Sequence, residues 1–146
     1  MDNFDMERMR KNVEHCELTQ AIWAYNNKIA NSTEMQRQLW ALWRYNCYVC
    51  VPTYSDHRPP YDWAMMPTNK GNSYVFYTES KLICEGDKPF IIHVPFKQLL
   101  NRIYSSEGIV TGLFMNPAIS SEMVPYSIGF SDEFLEQLFK GDSLIL

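Results

Sequence analysis

The sequence predicts an α+β fold, a mixed and mostly antiparallel β-sheet with helices packed against it. Three observations carry this expectation. In the first third, apolar residues recur at helical spacing, with Leu18, Ala21, Ile22, Tyr25 and Ile29 at i, i+3, i+4, i+7 and i+11. From Asn46 the pattern changes to short apolar runs rich in Tyr, Val and Phe, bounded by Pro, Gly and Asn. Helices then interleave with these runs irregularly, so strands are expected to pair mostly with their sequence neighbours. With 146 residues, 46% of them apolar and 21% charged, the chain has the composition of one soluble globular domain. We divide it into an N-terminal helical extension (1–17), a single α+β domain (18–141) and a short apolar tail (142–146).

Residues 2–17 are charge-rich, and Met6, Met9, Val13 and Cys16 give them a thin apolar stripe. The helix from Leu18 ends at Asn31-Ser32-Thr33-Glu34, where Asn31 is the expected N-cap of the next helix and Glu34 stands three residues on. That helix buries Met35, Leu39, Leu42 and Trp43, with Trp40 off the stripe. Strands are expected at residues 48–53, 61–66 and 73–78, the last two joined by a hairpin connection containing Gly71. A strand at 90–94 precedes a helix opened by Pro95 and burying Phe96, Leu99, Leu100 and Ile103. Strands at 109–115 and 124–128 follow. Ser131 caps a final helix with Phe134, Leu135 and Leu138 inward, ended by Gly141.

Cys47-Tyr48-Val49-Cys50 has C-x-x-C spacing. Its neighbours Tyr48, Val49 and Val51 favour a strand, where residues i and i+3 point to opposite faces. The expectation is therefore two structural thiols; redox or metal use of Cys47 and Cys50, with His57 or His93 as a partner, is the alternative enzyme reading. His15, His57 and His93 share no ligand-type spacing, and with six glycines there is no phosphate-cradling loop or nucleophile elbow. No catalytic residue, metal or cofactor is expected.

Thirteen basic and seventeen acidic side chains leave a net charge of −4. Residues 121–146 hold Lys140 against Glu122, Asp132, Glu133, Glu136 and Asp142, so the whole excess lies at that end. Without a basic stripe, nucleic acid is not an expected partner. The longest apolar runs have five residues, too short to span a bilayer, and no basic start leads into an apolar stretch, so neither membrane nor secretion is expected.

Two regions are candidates for binding another protein. Tyr54, Arg58, Tyr61 and Trp63 concentrate aromatic and guanidinium groups of the kind enriched at interfaces, although alternate members of 61–66 would also suit a core. Asp132, Glu133 and Glu136 form the second; the first two also oppose the dipole of the last helix. A surface of this sign fits a basic partner and acts mainly on association rate. The tail Ser143-Leu144-Ile145-Leu146 is apolar enough to dock on the domain or to add to a sheet edge of a second copy, a route to a homodimer.

Five elements follow in order: Tyr48-Val49-Cys50-Val51-Pro52, Tyr74-Val75-Phe76-Tyr77-Thr78, Val94-Pro95-Phe96 with Leu99-Leu100, Gly112-Leu113-Phe114-Met115-Asn116-Pro117 and the closing helix 131–140. In this order they resemble the N-terminal domain of the SseB (enhanced serine sensitivity) family. The resemblance covers roughly residues 18–140. It implies a mixed sheet with helices against it, and it brings no catalytic residues. Asn116-Pro117 is read as a strand terminator, with contact to a ligand as the other use of the asparagine. Together these readings predict a cytoplasmic, non-catalytic interaction module of the regulatory-adaptor or immunity type.

Overall fold

A computed structural model of the protein describes residues 11–54, 62–69 and 71–140. Among the described residues, four helices and six strands follow in the order α1 (Cys16–Asn26), α2 (Thr33–Arg44), β1 (Tyr48–Pro52), β2 (Met65–Thr68), β3 (Gly71–Phe76), β4 (Ile91–Pro95), α3 (Phe96–Tyr104), β5 (Val110–Met115), β6 (Ile128–Ser131) and α4 (Asp132–Phe139). Short 3-10 turns lie at Ser80–Leu82, Glu85–Phe90 and Val124–Tyr126. The predicted α+β class is what the structure has.

Pairing goes further than neighbour to neighbour. A four-stranded sheet runs β2-β3-β5-β6, and a separate pair joins β1 to β4. Contacts β2–β3, β5–β6 and β1–β4 are antiparallel, whereas β3–β5 is parallel. The open end of the β2–β3 hairpin grips β1 from its other side. Tyr77 donates its N–H to the Cys50 carbonyl at 2.9 Å, and Ala64 donates to the Pro52 carbonyl at 2.9 Å.

The main core lies under the helices. Tyr74, Phe76, Leu113 and Met115 from the sheet meet Leu39, Phe96, Leu99 and Leu138 from the helices, all buried. Phe96 links them edge-on, its ring 5.7 Å from Phe76 and 5.9 Å from Phe139. The opposite sheet face carries a smaller cluster, Cys50, Val75, Tyr77 and Leu82, covered by turns rather than helices.

Several local expectations change. Residues 2–10 of the expected N-terminal helix lie outside the described residues, and 12–15 are not helical. The Asn12 side chain folds onto Glu14 in a local turn, and the His15 N–H pairs with the Thr78 carbonyl at 2.7 Å, which commits this stretch to the sheet. Residues 124–126 form a 3-10 turn, not a strand, because Pro125 sits at its start and the Asn26 carboxamide of α1 holds the Pro125 and Ser127 carbonyls at 2.9 Å. The strand begins at Ile128 instead. Pro95 ends β4 and stands just before α3 rather than within its first turn. The exposed first turn of α3 is capped from afar. Asn46, at φ 49, accepts the Lys97 N–H through its side chain at 2.9 Å.

Candidate functional site

The last helix holds the acidic candidates. Ser131 caps it as expected, its hydroxyl accepting the Phe134 N–H at 3.2 Å. Asp132 is half-buried and accepts the N–H of Glu133 at 2.8 Å, while Glu133 and Glu136 are exposed. The inner side of α4 buries Leu135, Leu138 and Phe139. Between α2, α3 and α4 runs an open groove of about 360 Å³, lined by Trp43, Lys97, Tyr104, Glu136, Phe139 and Lys140. Trp43 stacks on Phe139 at 5.5 Å with an interplanar angle of 11°, and the Lys97 ammonium sits 4.9 Å from the Trp43 ring centre. Tyr104 is 43% exposed. Its phenol is pushed up to about 12, first by partial burial and then by the charges of Glu136 and Asp132.

Of the aromatic candidates, Tyr54 and Trp63 do not join this surface. Tyr54 is exposed and lines a different groove with Pro52, Met66 and Phe90. Its hydroxyl accepts the Met65 N–H at 2.9 Å and so positions the start of β2. Arg58 and Tyr61 lie outside the described residues, as does the tail 142–146. Trp63 is not a surface residue: it is 3% exposed and belongs to the core. The Arg102 guanidinium covers its ring at 4.2 Å and Tyr74 meets it edge-on at 5.6 Å, so its aromatic area is already used.

Cys47 and Cys50 separate as strand geometry requires. Cys47 packs with Val49 and Val51 in the helix-side core, whereas Cys50 lies in the opposite cluster with Val75 and Tyr77. Burial pushes the Cys50 thiol up to about 11, with the Glu14 charge adding to it. His93 stands directly across from Cys50 in the β1–β4 register but is solvent-exposed. His57 lies outside the described residues. Cys84 donates to the Pro117 carbonyl at 3.2 Å. Among the described residues, no three His, Cys, Asp or Glu side chains gather in a way that could hold a metal ion.

Sequence reasoning did not foresee a buried polar network at the end of the sheet. Asn116, 1% exposed and at φ 57, accepts the Thr78 N–H at 2.9 Å and donates to the Tyr126 carbonyl at 2.9 Å. Its own carbonyl accepts the Ser127 hydroxyl. Thr78 also bonds the Thr19 hydroxyl of α1 at 2.7 Å. Next to it, buried Glu79 accepts the Cys16 thiol at 3.0 Å and lies 3.8 Å from the Lys81 ammonium. Burial alone would raise the Glu79 carboxyl, but the bonds from Cys16 and Thr19 and the Lys81 charge outweigh it and hold the group low. That same bond, with burial second, raises the Cys16 thiol. His15 meets the Tyr48 carbonyl through Nε2 at 2.8 Å, and burial keeps its imidazole below the ordinary value of 6.5. The network fastens 12–19 to the sheet. β5 ends at Met115 as expected, but Asn116 is left-handed rather than extended and its carboxamide is occupied by Thr78 and Tyr126 rather than by its own turn.

No family model, curated protein or solved structure matches the chain. Among the described residues no helix is long and apolar enough to cross a membrane.

Proposed function

We propose that this protein is a non-catalytic, cytoplasmic protein–protein interaction module, SseB-like in design, that docks a basic partner protein on the outer face of α4. The carrying observation is that Glu133 and Glu136 stand exposed together on α4, and that Glu136 also lines the groove where the Trp43 and Tyr104 rings are partly exposed. Carboxylates draw a basic partner in, and half-exposed rings give it area to bury at little entropic cost. The concentration of negative charge in residues 121–146 supports a partner of that sign. The competing redox or metal-dependent reading rests on Cys47 and Cys50, and their burial in separate clusters speaks for the interaction reading instead. A regulatory adaptor or an immunity-type protein would use such a surface in the same way.

The test combines a photo-crosslinking residue at Gln137, on the outer face of α4, with the double reversal Glu133→Lys/Glu136→Lys. In low-salt lysate the crosslinker yields a discrete adduct that weakens as salt rises and is lost with the reversal. An adduct that survives both charge reversal and high salt contradicts an acidic docking face.

A further inference from the structure

We propose that residues 12–15 act as a strap, fastened across the end of the sheet, that opens locally while α1 stays docked and opens more readily in mild acid. The strap is not helical and rests on few contacts. The His15 N–H donates to the Thr78 carbonyl at 2.7 Å, and the His15 Nε2–H donates to the Tyr48 carbonyl of β1 at 2.8 Å. Glu14 accepts the Ser80 N–H on both carboxylate oxygens, at 3.1 and 3.2 Å. Val13 is half-buried against the cluster of Cys50, Val75, Tyr77 and Leu82. The Asn12 side chain turns back onto Glu14 instead of onto the sheet.

α1 is held by different means. Leu18, Ala21 and Ile22 are buried in the helix-side core, and the Thr19 hydroxyl bonds that of Thr78 at 2.7 Å. His15 is the junction between the two. Its carbonyl accepts the Thr19 N–H at 3.1 Å and so belongs to the helix, whereas its own N–H and its ring belong to the sheet. Releasing the second set of bonds leaves the first in place. A segment with few buried apolar contacts opens at lower cost than the core on which it lies.

Acid acts at the junction itself. A carbonyl has no proton to give, so the neutral ring carries its proton on Nε2 and mild acid adds one at Nδ1. Burial opposes that charge most strongly and holds the closed ring below its ordinary 6.5. Three groups act the other way: the Tyr48 carbonyl of β1, Glu14 on the strap and Glu79 from the segment after β3. Lys81 stands 3.8 Å from Glu79 and partly balances it, and the Cys16 thiol at the start of α1 donates to Glu79 at 3.0 Å. With burial prevailing, the opened and hydrated ring takes the proton first. Acid therefore favours opening, by at most about tenfold for each pH unit below 6.5. The strap does not involve the docking face of α4.

Native-state amide hydrogen exchange on the full chain tests both parts. At pH 7 the His15 amide should be less protected than the Leu113 amide in mid-sheet. It should also respond little to low urea, because a local opening exposes little surface, while Leu113 loses protection in proportion to the denaturant. From pH 7 to 5.5, after correction for intrinsic exchange, His15 protection should fall by about two- to eightfold. His15→Gln should keep the early opening of this amide and lose its acid response. Equal protection and equal urea dependence at positions 15 and 113 would mean that the strap opens only with the whole fold. An acid response missing from the parent, or one that persists in His15→Gln, would remove the imidazole from the device. Each of these results overturns the proposal.

Discussion

On one face of the four-stranded sheet, Tyr74, Phe76, Leu113 and Met115 meet four helices; on the other, Val75 and Tyr77 meet turns, and Ser73 meets an open cleft. The helix face buries long aliphatic and aromatic side chains in continuous contact. The turn face buries less apolar surface and relies on polar fastening. Tyr77 donates its hydroxyl to Asp87 at 2.6 Å, and Asn116 ties Thr78 to Tyr126. The difference teaches where substitutions are tolerated. Apolar burial is distributed over many contacts, whereas each bond of a buried network has one partner whose loss strands the other.

Breaking the helix face should cost most. Leu113→Ala, at a fully buried position between sheet and helices, should destabilise the protein by about 2–5 kcal/mol in denaturant unfolding. Val75→Ala on the turn face should cost clearly less, and equal costs would mean that the two faces are packed alike. Asn116→Ala strands the Thr78 N–H and the Tyr126 carbonyl, for a loss of about 2–3 kcal/mol. Asn116→Gly should recover part of it, since glycine adopts φ 57 without strain.

A subtler contrast comes from pH. His15 has a folded-state pKa below its ordinary 6.5, chiefly through burial, against which Glu14, Glu79 and the bond to Tyr48 act. The unfolded chain therefore takes up the proton first. The stability His15 contributes is complete above about pH 6.5 and is lost as pH falls through that value toward the lower folded pKa. Between pH 7 and 5 the parent should lose stability that His15→Gln, which keeps a side-chain N–H near Tyr48, does not lose. A flat profile in the parent would remove the imidazole from this account. Smallest of all should be Glu133→Lys: within about 1 kcal/mol on stability, from the helix dipole, with its main effect on partner association rate.

Much of this was legible in the sequence, and the rest was not for definite reasons. Period 3.6 revealed the inner faces of α2, α3 and α4, because a helix declares its buried side locally. The capping role of Ser131 was equally local. Alternation alone sent Cys47 and Cys50 to opposite faces, needing no knowledge of what lies there. Pairing was less accessible: β1 joins β4 across about forty residues, and β3 lies parallel to β5 only because β4 and α3 intervene. Trp63 resembled a surface aromatic because the cover over it, Arg102, comes from a helix far along the chain. The acidic residues of α4 could be read from composition, but Trp43 and Tyr104 beside them come from two other helices. The Asn116 network escaped for the same reason, its members spanning residues 15 to 127.

The most direct test of the claim that Cys47 and Cys50 form no shared reactive centre is site-resolved thiol labelling of the native protein at pH 8, read by mass spectrometry. Cys16, exposed but bonded to Glu79, should label first though slowly, and Cys47 and Cys50 should stay unmodified until the chain unfolds. Fast labelling of Cys50 in the native state, a Cys47–Cys50 disulfide, or stoichiometric zinc that protects both thiols would contradict it.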